Sequence, residues 1–182
     1  MRSLVLFALL VAAGCGQQIG DSCVVSSDCA IDGSRSCDVS MRSGYCTILG
    51  CDYDTCPGEA ACVRYFTGGF TNRPCDPNTE DRGGTPTDDC SLDELCSLEG
   101  ECVPRAAESR FCMKKCDTDK DCRDGYECRD LPKMRTHGGE PVLAPYVPDT
   151  TKNPPDPALE DPGHYETRLE DAPKFCAMAP TT

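Results

Sequence analysis

Residues 116–128 read CDTDKDCRDGYEC, and this stretch contains the pattern that decides the fold. Three cysteines are separated by five residues each, with aspartates and one glycine between them. Gly125 permits the left-handed backbone of a tight turn between bridged cysteines. The aspartates can cap such turns through hydrogen bonds from backbone N–H groups to their carboxylates. The stretch therefore predicts tight turns held together by disulfides.

The composition of the whole chain agrees with that prediction. The 182 residues include 17 cysteines and no tryptophan, which is typical of a disulfide scaffold rather than of a cytosolic enzyme. Only 22 of the 168 residues that follow position 14 are Leu, Ile, Val or Phe, so a hydrophobic core cannot carry the fold alone. The net charge of −13 disfavours nucleic acid and anionic membrane surfaces as partners.

The first residues, MRSLVLFALLVAAGC, have the form of a secretory signal. Their apolar run, residues 4–13, is too short to stay as a membrane span. The small residues before Cys15 resemble the bacterial lipobox, although Ala12 stands where leucine is usual. The resemblance implies a lipoprotein signal peptide at 1–14, and a lipidated Cys15 with a short tether at 15–22. The alternative is ordinary signal cleavage, with Cys15 kept as a free or paired thiol.

Lipidation would place the protein on a membrane. Two or more acyl chains on Cys15 give stable anchoring, so membrane lipid is the first predicted partner. Bacterial lipoproteins kept in the inner membrane tend to have aspartate after the lipidated cysteine, and Gly16 stands there instead. The resemblance thus implies the outer membrane of a Gram-negative bacterium, on either its periplasmic or its surface face.

The sixteen cysteines after Cys15 form two sets whose first seven members match at a sequence offset of 65 to 67. Dense cysteines can also mimic a repeat by chance. We interpret the sets as tandem eight-cysteine modules, with disulfides that close within each module and with partners left unassigned. The first set is Cys23, Cys29, Cys37, Cys46, Cys51, Cys56, Cys62 and Cys75; the second is Cys90, Cys96, Cys102, Cys112, Cys116, Cys122, Cys128 and Cys176.

This division fixes the predicted domain boundaries. The first module is 23–75, a linker is 76–89, the second module is 90–131 with 174–177, a proline-rich inserted loop is 132–173, and a tail is 178–182. The inserted loop holds nine prolines and is expected to be polyproline-like or disordered, as a functional segment or as a spacer.

The predicted fold class is small and disulfide-rich, with mainly short β-hairpins and loops and very little helix. In the first module, residues 62–75 predict a hairpin closed by a glycine turn at 67–70. In the second, residues 128–131 and 174–176 predict the equivalent hairpin, with the proline-rich loop at its tip.

Residues 116–128 fit C-x2-D-x-D-C-x2-G-x2-C, which resembles the cysteine motif of the Dickkopf N-terminal domain and of cysteine-rich bacterial lipoproteins that share its spacing. Residues 23–29, 90–96 and 51–56 are degenerate echoes of its first half. The resemblance implies a small disulfide-rich fold, and we carry over none of the receptor binding of Dickkopf proteins.

The sequence offers weak support for metal or catalytic chemistry. No C-x2-C pair exists, and the only histidines, His137 and His164, lie in the proline-rich loop. Asp117, Asp119 and Asp121 alternate as in a calcium loop, but cysteines occupy its glycine and glutamate positions, so turn capping explains them better. No nucleophile–base motif is present. We therefore expect no enzyme activity, no metal and no cofactor.

Two functions remain open from the sequence. The first is a lipid-anchored binding or structural module of the bacterial cell envelope, with an envelope or surface protein as a second partner. The second is an extracytoplasmic inhibitor or ligand, in which loop 132–173 or the hairpin tip 67–70 contacts the target. A rigid disulfide frame favours the second function because it lowers the entropy cost of presenting a loop.

Overall fold

The computed structural model describes residues 16–67, 73–77, 90–144 and 170–180. Short strands dominate these residues, two short α-helices accompany them, and eight disulfides join them. The predicted fold class is therefore confirmed.

The elements are brief, as expected where bridged cysteines interrupt the chain every few residues. The helices are α1 (Ser26–Cys29) and α2 (Leu131–His137), and 3₁₀ turns lie at Arg105–Ala107 and Asp119–Asp121. The strands are β1 (Ser36–Cys37), β2 (Cys46–Thr47), β3 (Ala60–Phe66), β4 (Glu94–Cys96), β5 (Cys102–Pro104), β6 (Glu108–Lys114), β7 (Tyr126–Arg129), β8 (Glu140–Pro141) and β9 (Phe175–Met178).

The disulfides divide the sixteen cysteines into four units of four, and every unit has the same connectivity. Its first cysteine pairs with its third, and its second pairs with its fourth. The pairs are Cys23–Cys37 and Cys29–Cys46 in unit 1, Cys51–Cys62 and Cys56–Cys112 in unit 2, Cys75–Cys96 and Cys90–Cys102 in unit 3, and Cys116–Cys128 and Cys122–Cys176 in unit 4.

In every unit the third and fourth cysteines lie directly opposite each other on an antiparallel strand pair. The facing residues are Cys37 and Cys46 (β1–β2), Cys62 and Cys112 (β3–β6), Cys96 and Cys102 (β4–β5), and Cys128 and Cys176 (β7–β9). The strand pair fixes two cysteines side by side, and the turn that precedes it supplies their partners. Each unit is therefore a hairpin-like ladder crossed by two disulfides.

The expectation that the disulfides close within each predicted cysteine set is wrong. The bridges Cys56–Cys112 and Cys75–Cys96 join one predicted set to the other, so the pairs do not all close within a set. The structure does not show two tandem modules either, because β3 of the first set pairs with β6 of the second along seven residues.

The predicted hairpin at 62–75 is wrong for a related reason. Strand β3 lies in the middle of a three-stranded sheet of order β6–β3–β8. The described part of the expected return strand pairs elsewhere, since Cys75 donates its N–H to the Gly100 carbonyl at 2.9 Å. Residues 68–70 of the predicted tip lie outside the described residues.

The second predicted hairpin is confirmed. Strands β7 and β9 pair in antiparallel register, and Cys128 faces Cys176 although 47 residues separate them in the sequence. Unit 3 is an insertion of the same kind in unit 2, because it lies between the third and fourth cysteines of that unit. Insertions between those two cysteines are accommodated because the strand pair and its disulfides close the unit independently of what lies between.

The expectation that all of 132–173 is polyproline-like or disordered is wrong for the residues next to β7. Residues 131–137 form α2, and 140–141 form β8. Pro132 lies in the first helical turn, where a missing N–H costs no hydrogen bond. The Asp130 side chain caps the helix by accepting from the Lys133 N–H at 3.2 Å. Residues 145–169 of this loop lie outside the described residues, as do 78–89 of the predicted linker.

The small hydrophobic core lies where units 1, 2 and 4 meet. Tyr45, Phe175 and Met113 are fully buried in it, together with Val63 at the centre of the three-stranded sheet. An aromatic residue precedes the fourth cysteine in three of the four units: Tyr45, Phe111 and Phe175. The residue before that cysteine points away from the disulfide on the strand, and so these three rings converge on the core.

Candidate functional site

The turns that open units 1 and 4 are built in the same way. In unit 1, the Asp28 carboxylate accepts from the N–H groups of Val24 and Val25 at 2.8 and 3.1 Å. In unit 4, Asp121 accepts from Asp117 and Thr118 at 3.0 and 2.8 Å. These hydrogen bonds favour the ionised acid and hold the pKa of both carboxyl groups below the usual range. The turn-capping role predicted for the aspartates is therefore confirmed for Asp121.

Asp119, the middle aspartate of 116–128, is also used within the fold. Its carboxylate accepts from the Lys133 ammonium and from the Cys128 N–H, both at 2.8 Å. The lysine and the backbone N–H lower the pKa of Asp119. The carboxylate thus ties the 3₁₀ turn to β7 and to the start of α2.

Units 1 and 4 pack together through a cation stacked on two tyrosines. The rings of Tyr45 and Tyr126 stack with centroids 5.5 Å apart, and the Arg123 guanidinium lies 4.2 Å from the Tyr126 centroid. Arg123 also donates to the Arg42 carbonyl at 2.9 Å. The Tyr45 hydroxyl accepts from the Lys114 N–H at 3.0 Å and donates to the Cys176 carbonyl at 3.3 Å. Burial raises the pKa of Tyr45, so it stays a neutral donor.

One glycine allows the close approach of the chain segments in unit 1. Gly44 has φ +64°, and a Cβ at this position would lie 2.0 Å from the Cys23 carbonyl oxygen. Any side chain here would separate the turn before β2 from the first disulfide, so the position requires glycine.

The segment that follows Cys15 belongs to the folded body. Ile19 is fully buried in the core, and the Gly20 N–H donates to the Cys46 carbonyl at 2.9 Å. The Arg35 guanidinium donates to the Gln17 carbonyl, and the Cβ position of Gly16 lies 3.6 Å from the Cys29 carbonyl oxygen. The tether expected at 15–22 is therefore held on unit 1 from Gln17 onward, and Gly16 lies close to it. Cys15 itself lies outside the described residues.

A cleft of about 410 Å³ lies between unit 2 and the two described ends of the proline-rich loop. Tyr53 and Pro57 line one side, and the apolar residues 141–144 and 172–173 line the other. Lys115 lines it too, and its ammonium donates to the Gly58 carbonyl at 3.1 Å. The cleft is large enough for one or two apolar side chains of a peptide.

A buried ion pair fixes one wall of this cleft. Glu140 on β8 is 3 % exposed and accepts a hydrogen bond from Arg64 on β3. Burial raises the pKa of Glu140, and Arg64 opposes that shift. The pair holds β8 against β3, and so places residues 141–144 at the cleft.

The cysteines bring sulfur atoms close together in each unit. Three cysteines per unit have sulfurs within 4.8 Å of one another, for example Cys23, Cys29 and Cys37. All of these sulfurs are in disulfides, so adjacent bridges account for the grouping. Of the two histidines, His137 ends α2 and contacts Glu127 at 2.7 Å, and His164 lies outside the described residues.

Comparisons with known proteins found no match to this chain among protein-family models, curated proteins or solved structures. None of the helices within the described residues is long and apolar enough to cross a membrane. The fourfold unit was missed in the sequence because the fourth cysteine of units 2 and 4 is far away along the chain. The aromatic residue before three of the fourth cysteines was the available signal.

Proposed function

We propose that the protein is a disulfide-bonded binding or structural module of the bacterial cell envelope, anchored to the outer membrane through acylated Cys15. One observation carries the proposal. The sixteen cysteines from Cys23 to Cys176, all within the described residues, are paired with one another, and this leaves none of them for Cys15. An acylated cysteine accounts for the odd thiol and for the apolar run that precedes it.

The fold supports binding or a structural role. Four crossed disulfide pairs hold the surface rigid with little core, and a rigid surface loses little entropy on binding. The 410 Å³ cleft beside unit 2 is the proposed contact site for an apolar segment of an envelope protein.

Intact mass spectrometry of membrane-extracted protein tests the anchor. The expected species begins at Cys15, carries the mass of its acyl chains and has no free thiol. A matched Cys15→Ser variant should leave the membrane fraction and keep eight disulfides. A mature species without lipid mass would refute the anchor.

One observation favours the alternative, in which the protein is an inhibitor or ligand. Residues 141–144 and 171–173 line the same cleft, so both ends of the segment 145–169 are held near each other on the rigid body. A loop held in this way suits a segment that contacts a target. Replacing 145–169 by a short Gly/Ser linker should abolish function in this alternative, and it should leave localisation and phenotype intact if the segment is a spacer.

A further inference from the structure

Unit 1 exposes three branched aliphatic side chains, which we name the apolar rim: Val24, Val25 and Ile31. Their exposed fractions are 79 %, 53 % and 97 %. Val24 and Val25 precede α1, and Ile31 follows it, so the whole rim surrounds a helix of four residues. Such a helix is only about 6 Å long, and the rim is correspondingly compact.

Unit 4 shows that the fold does not require apolar residues at these positions. Its opening turn has the same geometry, with φ and ψ of −139° and 167° at Thr118 against −137° and 159° at Val25. Counted from the first cysteine of each unit, Val24 and Val25 correspond to Asp117 and Thr118. Two residues after the second cysteine, Ile31 corresponds to Asp124. The equivalent turn is thus polar at all three positions, so the aliphatic side chains of unit 1 need another explanation.

The rim lies next to the point where the chain reaches Cys15. A Cβ built on Gly16 would lie 3.6 Å from the Cys29 carbonyl oxygen at the end of α1, so Gly16 lies close to that carbonyl. Ile31 is two residues beyond Cys29 in the chain, and its Cα is therefore within about 7 Å of the Cα of Cys29. Cys15 is bonded to Gly16, so its Cα lies about 3.8 Å from that of Gly16. Since Ile19 is buried and Gln17 is held by Arg35, no free length of chain separates an acyl group on Cys15 from unit 1.

We infer that unit 1 rests in the membrane interface, with the apolar rim in contact with lipid beside the acylated Cys15. This inference rests on the proposed anchor and adds to it an orientation and a lipid-contact surface. Branched aliphatic residues on a short turn can enter the boundary between headgroups and acyl chains. The net charge of −13 disfavours anionic lipid, so zwitterionic phospholipid is the surface that this rim contacts.

The absence of tryptophan from the chain makes a clean test possible. The acylated protein carrying either Ile31→Trp or Asp124→Trp is reconstituted in phosphatidylcholine vesicles with and without brominated acyl chains. Both positions are exposed and lie on equivalent turns, so each variant is the control of the other. The Ile31→Trp emission should shift to the blue and be quenched by the brominated lipid. The Asp124→Trp emission should do neither.

The mass of each sample shows whether the protein is acylated, so a failure of the inferred lipid contact can be distinguished from a failure of the anchor. If the protein is acylated but its Ile31→Trp emission stays unquenched, the anchor is supported and the contact of unit 1 with lipid is refuted. A blue shift without quenching also overturns it, since it places the rim against protein. Equal quenching of the two variants overturns the selective contact of unit 1. Protein without acyl mass refutes the anchor and the inference together. Eight disulfides in each variant, counted by mass, establish that it is folded.

Discussion

Units 1 and 4 are the same structural device used at two places in one molecule. Each begins with two cysteines separated by five residues, with an aspartate directly before the second cysteine. Each aspartate accepts two backbone N–H groups, and each unit crosses a strand pair with two disulfides. The hydrogen bonds of the opening turns are local, whereas the strand pair and its disulfides join residues as far apart as Cys122 and Cys176 in unit 4.

The two units differ in what they enclose and in what they expose. Eight residues separate the third and fourth cysteines in unit 1, and 47 separate them in unit 4. Unit 1 exposes the apolar rim, and unit 4 has polar residues at the same positions. The disulfides therefore fix the backbone conformation of a unit, whereas the length of its insertion and the polarity of its surface can vary.

Reduction should have the largest effect, because both units depend on their disulfides. Each disulfide of a small secreted domain contributes about 2–5 kcal/mol, and the apolar core is small. Dithiothreitol should therefore unfold the protein, with loss of its native circular dichroism. The same protein without reductant is the control. An unchanged spectrum would show that packing, rather than disulfides, dominates.

Removal of the equivalent disulfide from each unit should destabilise the protein more in unit 4 than in unit 1, because the disulfide of unit 4 encloses more residues. Cys29–Cys46 spans 17 residues and Cys122–Cys176 spans 54. Because loop-closure entropy grows with the logarithm of loop length, the Cys122→Ala/Cys176→Ala variant should lose about 1 kcal/mol more free energy of unfolding than Cys29→Ala/Cys46→Ala. Urea denaturation measures both. Equal losses would mean that the long insertion is constrained by other contacts.

Tyr45→Phe should weaken the packing of unit 1 on unit 4. It removes a buried hydroxyl that accepts from Lys114 and donates to Cys176, so the free energy of unfolding should fall by about 1–3 kcal/mol. Tyr53→Phe is the matched control, because Tyr53 is 49 % exposed and should change stability by less than about 0.5 kcal/mol. Similar effects of the two substitutions would contradict the role given to the buried hydroxyl.

The opening turns should give both units the same response to acid. The pKa values of Asp28 and Asp121 are lowered in the folded protein, since each carboxylate accepts two backbone N–H groups. Their contribution to stability is present above the unfolded pKa of about 3.9 and is lost as the pH falls through the lowered folded value. Asp28→Asn and Asp121→Asn should each lower stability at neutral pH and reduce its loss on acidification.

Urea titrations from neutral pH to about pH 2 measure this dependence for each variant. Equal slopes for the two variants would support equivalent turns. An effect confined to one unit would break the equivalence. Asp32→Asn is a control in unit 1, since the pKa of Asp32 is also lowered but its carboxylate accepts from the Ser34 N–H outside the opening turn.

Exchange of the apolar rim for its unit 4 counterparts should have the smallest effect on stability. The triple variant Val24→Asp, Val25→Thr and Ile31→Asp changes only exposed side chains, so the free energy of unfolding of protein without the acyl group should move by less than about 0.5 kcal/mol. Thermal and urea unfolding measure it. A larger loss would show that the rim packs within the fold.

Much of the fold was predictable from cysteine spacing and turn residues. Residues 116–128 predicted turns capped by aspartate. The confirmed hairpin through Cys128 and Cys176 followed from the alignment of the two cysteine sets. The hairpin at 62–75 could not be rejected from the sequence, because its first five residues contain a β-branched and two aromatic residues that favour strands, and its glycines suit a turn. Strand β6 pairs with β3 instead of the expected return strand, and its Cys112 lies opposite Cys62. The nine prolines of 132–173 likewise argued against a helix there, and α2 forms because Pro132 lies in its first turn.

Some features of the candidate sites could also be predicted from the sequence, and others could not. The apolar run, the small residues before Cys15 and the odd cysteine count are sequence properties that motivate the anchor, and the pairing of the other sixteen cysteines in the structure supports it. Other features depend on the approach of residues that are distant in the chain. They are the closeness of Gly16 to Cys29, the cleft beside unit 2 and the closeness of the apolar rim to the start of the folded body.

The amino-acid composition alone predicts a fold held by disulfides, because the apolar residues are too few to form a sufficient core and cysteines are abundant. The sequence also determined the local turns, whose hydrogen bonds join residues three or four positions apart. The pairing of the cysteines and their division into four units, in contrast, follow from tertiary contacts. A disulfide needs two cysteines whose Cα atoms lie close together, 5.4 to 5.9 Å apart in this protein, and that approach arises where the turn before each strand pair packs against the strands, whatever the separation of the cysteines in the chain.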